Sequence, residues 1–305
     1  MLTDFLVVAG QVATLFLLMG AGFLITKLGK LSEHTSSQMS FLLLYVVSPC
    51  LVVEALQVTL SHELLINLGK ATLAFILTYL IFIPLSIPMF PSRDKDTRPV
   101  LQFGLVLANT GFMGFPLIEA VVGPEALIYA AASMAIFTIL QWSYGIAIMG
   151  GTASLRNILV NPGTISILIG LVLLFTGLRP PAPINHAISF LADMNTPLAM
   201  VVIGSQMARA NIRDTFRHYR LFQASMVRLV VMPAIIALVL LPFHLEPMLY
   251  CSAVLLAAAP TAGVTSIYAD QFHRNTAAAA QLVTLSTLLS IVTLPLFAVI
   301  ARALC

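Results

Sequence analysis

Apolar runs of about 20 residues recur along the whole chain, separated by short polar stretches. A helix needs a run of that length to cross the ~30 Å of membrane hydrocarbon, whereas a strand of a membrane barrel needs about half as many residues. Only 9% of the 305 residues are charged, compared with about a quarter in soluble domains. The sequence therefore predicts an all-α integral membrane protein.

These apolar runs predict ten transmembrane spans. No Lys or Arg precedes the first run, and the run is longer than the core of a secretory signal, so we interpret it as a retained helix. The predicted spans, numbered one to ten, cover residues 4–26, 35–58, 64–90, 99–121, 124–149, 160–178, 185–208, 221–243, 246–268 and 276–302.

Lysine and arginine are distributed unevenly between the two sides of this topology. Because cytoplasmic loops carry the excess of positive charge, we expect the odd-numbered loops in the cytoplasm and both termini outside it, in the inner (plasma) membrane. Arg228 alone lies about two turns into span eight, and we expect its side chain to reach the membrane surface. The odd-numbered loops contain Lys27, Lys30, Arg93, Lys95, Arg98, Arg156, Arg209, Arg213, Arg217, Arg220 and Arg274, and the other side has Lys70, Arg179 and Arg302. The topology accounts for most of the net charge of +3, which therefore gives no reason to expect a nucleic-acid partner.

Prolines recur at matching places in the two halves of the chain. Pro49 in span two and Pro197 in span seven lie 148 residues apart, and Pro116 in span four and Pro260 in span nine lie 144 residues apart. Because five crossings per half is an odd number, the second half must enter the membrane from the opposite side. We therefore predict a 5+5 inverted repeat, an architecture found in many secondary transporters. The alternative is that the prolines only kink ordinary membrane helices. The two halves are residues 1–150 and 151–305.

Spans four and nine contain sequences that disfavour a continuous helix, "NTGFMGFP" at residues 109–116 and "AAAPTAGVTS" at residues 257–266. Proline removes a backbone donor and glycine loosens the backbone, so we expect unwound chain in both. Two interrupted helices that cross would direct their half-helix N-termini, each with about half a positive charge, at the same volume. Neither sequence contains Asp or Glu, so a small anion such as a carboxylate is favoured over a cation. The expected lining residues are Asn109, Thr110, Gly111, Thr261, Thr265 and Ser266.

One acidic residue lies deep within a predicted span. Asp193 precedes the "NTP" motif of span seven by about one turn, and it is our candidate for coupling transport to H⁺ or Na⁺, since membrane-buried charges are costly and usually functional. The alternative is that it caps the resumed helix or faces an outer vestibule. Histidines and cysteines show no metal-ligand spacing, and nucleotide-binding motifs are missing. We therefore expect no metal, no cofactor, no enzymatic activity and no ATP-driven pumping.

Five motifs, in their order along the chain, resemble those of the auxin efflux carrier family, in particular its short bacterial members, which are proposed to move malate, malonate or related organic acids. The motifs are "SPCLVVEAL", "NTGFMGFPL", "NPGTISILIGL", "NTPLAMVVIG" and "AAPTAGVTSIYA", the last followed by "STLLSIVTLP". The resemblance implies a ten-helix fold like that of the bile-acid symporters, in which helices four and nine are broken and cross. Helices one, two, six and seven would form a scaffold, often dimeric, and helices three to five and eight to ten an elevator-like transport domain.

The resemblance also implies which residues contact the substrate. Asn109 and Pro116 match the first crossing helix and Pro260 the second, and Asn161 matches an asparagine near the ligand in plant relatives. The chain departs from the plant carriers in having only about ten residues between its halves, and in having Phe112 where they have a polar amide. These departures argue against control by phosphorylation of that loop and against auxin as the substrate.

The sequence thus favours a secondary active transporter of a small organic anion, a mono- or dicarboxylate, working by alternating access. One alternative is a cation/proton antiporter on the same scaffold, which needs buried carboxylates at the crossing. Another is a membrane sensor that binds an anion without transporting it and signals through a partner protein.

Overall fold

A computed structural model describes residues 2–90, 94–209 and 218–304 of the chain. Within these residues the regular secondary structure is helical, apart from one isolated bridge between Ala108 and Thr261. The predicted all-α class is thereby confirmed. Three of the arginines counted for the charge asymmetry, Arg93, Arg213 and Arg217, lie outside the described residues.

Each predicted span coincides with one helix, except that spans four and nine each coincide with two consecutive helices. Numbered in chain order, the helices are α1 Leu2–Lys27, α2 Glu33–Ala55, α3 His62–Met89, α4 Thr97–Val106, α5 Thr110–Val121, α6 Pro124–Met149, α7 Leu155–Val160, α8 Pro162–Thr176, α9 Ala182–Arg209, α10 Tyr219–Phe243, α11 Pro247–Ala258, α12 Val264–Gln271 and α13 Thr276–Leu304. Six of them, α2, α3, α6, α9, α10 and α13, are long and apolar enough to cross a membrane. Shorter apolar stretches occur in α1, α5, α8 and α11. The number of crossings stays a prediction.

Three helices widen into a π-turn directly before a proline. A π-turn pairs each amide with the carbonyl five residues earlier, and the wider turn gives room to the proline ring, which clashes with the preceding turn of a regular α-helix. These prolines therefore reshape their helices without ending them. The π-turns are Leu43–Val47, Thr110–Gly114 and Val227–Val231, and the prolines that follow are Pro49, Pro116 and Pro233.

The helices α1 and α9 approach each other backbone to backbone, a contact that we call the α1–α9 seam. A Cβ atom added at Gly22 would overlap the backbone of Val201, and one added at Gly204 would overlap the backbone of Met19. Small residues permit this close approach between membrane helices, where van der Waals contact drives association. The seam is therefore a tightly packed contact between two stretches of α1 and α9 that are continuous helix.

The two helices that end at the centre of the molecule, α4 and α11, are buried on all sides. Every residue of α4 from Val100 and every residue of α11 from Leu249 is buried. Other parts of the protein, and not lipid, therefore surround these stretches of both helices. α11 packs against α3, α6, α10 and α13. This packing fixes where the C-terminal ends of α4 and α11 lie.

Candidate functional site

The chain that links α4 to α5, residues 107–109, runs antiparallel to the chain that links α11 to α12, residues 259–263. The Asn109 amide donates to the Pro260 carbonyl over 2.7 Å, and the Ala262 amide donates to the Leu107 carbonyl over 3.0 Å. These bonds give partners to backbone groups that would otherwise cost several kcal/mol each if buried unpaired. The structure therefore brings the two interruptions into direct contact, and we call this contact the crossover.

The first interruption lies earlier in the chain than we expected. We predicted unwound backbone over residues 109–116, but the helix resumes at Thr110, so Gly111 lies in the first turn of α5. The Asn109 side-chain oxygen accepts a hydrogen bond from the Phe112 amide over 3.2 Å and so caps that turn. Pro116 is buried within α5, where the preceding π-turn accommodates it. The break between α4 and α5 therefore lies at residues 107–109, before the proline.

A cavity with about 580 Å³ of empty volume, part of it open to the surroundings, lies at the N-terminal ends of α5 and α12. It also touches α2, α6 and α9. Its lining residues are all uncharged and mostly apolar, with four polar side chains among them. They are Ser40, Leu44, Asn109, Gly111, Phe112, Met134, Phe137, Gln141, Gln206, Ala262, Gly263, Val264 and Ile267. We call this volume the crossover cavity.

The polar groups around the crossover cavity include several hydrogen-bond donors. The N-termini of α5 and α12 each carry about half a positive charge. Asn109 is only 6% exposed, and its side-chain nitrogen has no hydrogen-bond partner among the described residues. Gln141, which donates to the Tyr268 hydroxyl over 3.3 Å, and Gln206 add two further amides. With two helix N-termini and no carboxylate in its lining, the cavity suits an anion.

The predicted threonines are buried at the crossover, but their hydroxyls hold the protein together and do not line the cavity. Thr261 donates to the Gly104 carbonyl of α4 over 3.0 Å, and its amide donates to the Ser286 hydroxyl over 3.2 Å. Thr265 donates within its own turn, to the Ala262 carbonyl over 2.7 Å. These side chains therefore position the backbone rather than offer groups to the cavity.

Thr110 and Pro260 also lie at the crossover without lining the crossover cavity. The Thr110 hydroxyl lies 3.9 Å from the sulfur of Met134, and its side chain faces a second, smaller cavity. Pro260 contributes its carbonyl to the pairing with Asn109. Ser266 is half-buried in α12, where its amide donates to the Gly263 carbonyl.

Asn161 lies in a neighbouring cavity of about 580 Å³ empty volume, which shares Leu44, Met134 and Gln141 with the crossover cavity. Its side-chain oxygen accepts from the Thr164 amide over 2.9 Å, and its nitrogen donates to the Ile158 carbonyl over 2.6 Å. The side chain is thus engaged as the N-cap of α8. It forms part of the wall beside the crossover rather than of the crossover itself.

Asp193 has an exposed side chain, and it lines neither of these two cavities. It lies at a turn within α9, directly before the helix resumes at Asn195. Within the described part of the chain, no group of three or more His, Cys, Asp or Glu residues could hold a metal ion. The structure thus gives Asp193 no contact with the crossover.

Sequence reasoning missed Gln141 and Gln206 and misplaced Arg228. An amide inside an apolar span is a visible signal, and it marks both glutamines as candidates. Arg228 was expected to reach the membrane surface, but it is fully buried beside the crossover. It donates to the carbonyls of Ala259 over 3.1 Å and of Leu105 over 3.4 Å. These partners are far from Arg228 in sequence, so nothing local reveals them.

Two known proteins are similar to this chain over almost its whole length. A protein of Rhizobium meliloti (strain 1021), described as a "putative malonate transporter", is 25% identical over 311 residues, which cover 94% of this chain and 93% of the relative. A protein of Methanothermobacter thermautotrophicus, described as an "uncharacterized transporter", is 24% identical over 308 residues, which cover 95% of this chain and 97% of the relative.

The sequence pattern of one family matches both halves of the chain. That family is described as "Membrane transport protein", and the matched segments are residues 7–154 and 151–298. The names of the family and of the relatives indicate a membrane transporter rather than an enzyme. Together with the apolar helices, these matches confirm the resemblance seen in the motifs: the chain is a multi-pass membrane protein that belongs to the membrane transport protein family, the family of the auxin efflux carriers.

Proposed function

We propose that this protein is a secondary active transporter of a small organic anion, a mono- or dicarboxylate, which it binds in the crossover cavity. The observation that carries the proposal is the position of this cavity, at two half-helix N-termini and beside the free amide of Asn109. Such ends stabilise negative charge without any basic side chain. The "malonate transporter" description of one relative supports malonate as the first substrate to try.

The proposed mechanism is an elevator. The crossover cavity is lined by residues of α5, α6 and α12, which we assign to one group of helices, and of α2 and α9, which we assign to the other. If the first group slides against the second, the same cavity opens first to one face of the membrane and then to the other. We assign α1, α2, α8 and α9 to the scaffold, and α3 to α6 with α10 to α13 to the transport domain.

We further propose ten crossings arranged as a 5+5 inverted repeat, with both termini outside the cytoplasm, in the inner (plasma) membrane. The halves are residues 1–150 and 151–305. The separate family matches to residues 7–154 and 151–298 support this division, as does the pairing of one interrupted span from each half. A homodimer formed through the scaffold is part of the same proposal.

Substrate contacts are assigned to the crossover. Asn109 and Gly111 would bind from the α5 side, and the backbone around Thr261 from the α12 side. Thr110, Pro116, Pro260 and Thr265 would shape the site indirectly, by holding the chain on which the ligand rests. Asn161 would line the path that leads into the cavity.

Uptake of radiolabelled malonate into proteoliposomes tests the proposal. We expect wild-type protein to take up malonate, and Asn109→Ala to lower the uptake by on the order of 10- to 100-fold, because a hydrogen bond to a charged group contributes about 1.5–3 kcal/mol. Asn157→Ala is the matched control, since this asparagine is exposed in α7, away from the crossover. Full uptake by Asn109→Ala would contradict the proposal.

The same vesicles separate the alternatives. Proton movement driven by a cation gradient, without organic anions, would instead identify an antiporter, and tight malonate binding without uptake would identify a sensor. Imposed H⁺ and Na⁺ gradients show which ion drives uptake. If Asp193 couples that ion, Asp193→Asn removes the dependence on the gradient while malonate binding persists.

A further inference from the structure

Arg228 is the one fully buried charged side chain among the described residues. It lies in the π-turn of α10, and its guanidinium group lies 5.4 Å from the centre of the Phe82 ring. A buried charge without compensation costs several kcal/mol or more, so its surroundings must supply negative charge. The residues that line the small cavity beside it include Thr78, Tyr79, Thr110 and Ser133, and no Asp or Glu.

The compensation comes from two helix ends. The Nε atom donates to the carbonyl of Ala259, directly after α11, and one Nη atom donates to the carbonyl of Leu105 in the last turn of α4. The C-terminus of a helix carries about half a negative charge. Two such ends amount to about one negative charge, which balances one guanidinium group. Arg228 therefore pairs with both half-helices that end at the crossover.

This pairing changes the charge that the crossover presents to a ligand. Four half-helix ends meet there, two N-termini and two C-termini, and their partial charges would cancel if nothing else were present. Because Arg228 neutralises the two C-termini, the positive N-termini of α5 and α12 are left uncompensated. They are also the ends that face the crossover cavity.

We propose that Arg228 is the residue that gives the crossover its preference for anions. It acts through the helix ends and contacts no ligand, so it is a positioning residue that sets specificity. Its second Nη atom has no hydrogen-bond partner among the described residues, and Arg228 lines the small cavity together with Ser133. This inference rests on the proposed anion site, and it names the residue that makes the site selective.

The single tryptophan of the chain allows a test that needs no substrate. Trp142 lines the cavity that adjoins the crossover cavity, next to Gln141, which lines both. Iodide quenches its fluorescence more strongly where the local potential is positive, whereas neutral acrylamide reports access alone. The ratio of the iodide to the acrylamide quenching constant therefore measures the charge near the crossover, whether or not malonate is transported.

The sharpest comparison is Ser133→Asp against Ser133→Asn, which have the same size and differ in charge. An aspartate at this buried position would place a negative charge in the wall of the small cavity that Arg228 also lines, and so offset the charge of Arg228. We expect Ser133→Asp to lower the quenching ratio roughly two- to fivefold relative to Ser133→Asn, because an added negative charge lowers the local concentration of iodide. Equal ratios in two folded variants would overturn the proposal.

Substitutions of Arg228 itself separate a charge effect from a packing effect. Arg228→Lys keeps the charge and Arg228→Met removes it, and both lose part of the hydrogen bonding. If the role of Arg228 were only structural, both variants would unfold at lower temperature and keep the wild-type quenching ratio, which would contradict the inference. We expect the lysine variant to keep the ratio and the methionine variant to lose it. If the methionine variant does not fold, the comparison of the quenching ratios of Ser133→Asp and Ser133→Asn tests the proposal instead.

Discussion

The α1–α9 seam and the crossover are both places where backbone lies against backbone, but they differ in where the hydrogen bonds go. In the seam two stretches of continuous helix, one in α1 and one in α9 after Asn195, satisfy their own backbone groups, and Gly22 and Gly204 let them approach. At the crossover two helices are interrupted, and the amides of Asn109 and Ala262, which have no partner within their own helices, bond to carbonyls of the opposite break. The backbones approach closely in both regions, but the helices are interrupted only at the crossover.

This difference implies that the two regions have different roles. The seam has no helix ends, so it offers no partial charge to a ligand and serves to fix the geometry of α1 and α9. The crossover directs the N-termini of α5 and α12 into a cavity and is therefore able to bind an anion. Substitutions in the seam should consequently change stability, and substitutions at the crossover should change ligand binding first.

The largest effect is expected from Gly204→Ala in the seam. The added methyl group would overlap the backbone of Met19, which cannot turn away as a side chain could, so α1 and α9 must separate. We expect a loss of about 2–3 kcal/mol of stability, or failure to fold. Thermal unfolding in detergent measures this loss of stability.

Gly20→Ala is the matched control for the seam, because a methyl group at Gly20, also in α1, meets nothing within 4 Å. Alanine favours a helix over glycine by up to about 1 kcal/mol, so this variant should be as stable as wild type or slightly more so. Equal unfolding temperatures for the two variants would show that the seam is not a rigid contact.

The next effect is expected at the crossover, from Asn109→Ser. Serine keeps an oxygen that can cap α5, so stability should change by less than about 1 kcal/mol. The substitution removes the side-chain nitrogen of Asn109, which we propose donates to the ligand. Malonate binding and uptake should therefore fall on the order of tenfold or more. Ligand-dependent thermal shifts give the affinity and the stability together. If Asn109→Ser loses stability but binds malonate normally, Asn109 stabilises the fold and does not contact the ligand.

Local sequence was sufficient to find the two interruptions that meet at the crossover. Asn109, Gly111, Pro116 and Pro260 disfavour a continuous helix wherever they occur together, so both interruptions were visible in the chain. Their exact position was not, because a π-turn absorbs Pro116 and moves the break to the residues before Thr110. That adjustment depends on packing around α5, which local propensity does not describe.

Contacts between distant parts of the chain were not predictable in the same way. Arg228 bonds to carbonyls that lie 31 and 123 residues away in sequence, so it looked like an arginine near a membrane surface. Gly22 and Gly204 belong to different halves, and a glycine in an apolar helix gives no sign of its partner. Thr261 lies in the break and Thr265 in the first turn of α12, and the direction of each hydroxyl depends on which carbonyls lie nearby, which the sequence does not show.

Thr261→Val tests how firmly the two breaks are joined. Valine has nearly the same shape, but it loses the hydrogen bond to Gly104 that links the α12 side of the crossover to α4. We expect a loss of about 1–2 kcal/mol, because the buried carbonyl is left without this donor. Thr265→Val loses only a bond within its own turn and should cost less than Thr261→Val. Unfolding in detergent compares the two, and a larger loss at Thr265 would mean that local helix bonds hold the crossover.

The smallest effect is expected from Ser205→Ala in the seam. Ser205 is fully buried, and its hydroxyl shares a hydrogen bond with the Thr26 hydroxyl over 3.0 Å, which links α1 and α9 beside the two glycines. The Thr26 hydroxyl also lies 2.8 Å from the Gly22 carbonyl of its own helix, to which it can donate its single hydrogen, so it keeps a partner when Ser205 is lost. Hydrogen bonds between membrane helices contribute about 0.6 kcal/mol on average, and we expect a loss of that size. A loss as large as that of the neighbouring Gly204→Ala would mean that polar pairing, rather than close backbone approach, holds the seam, and the contrast with the crossover would then disappear.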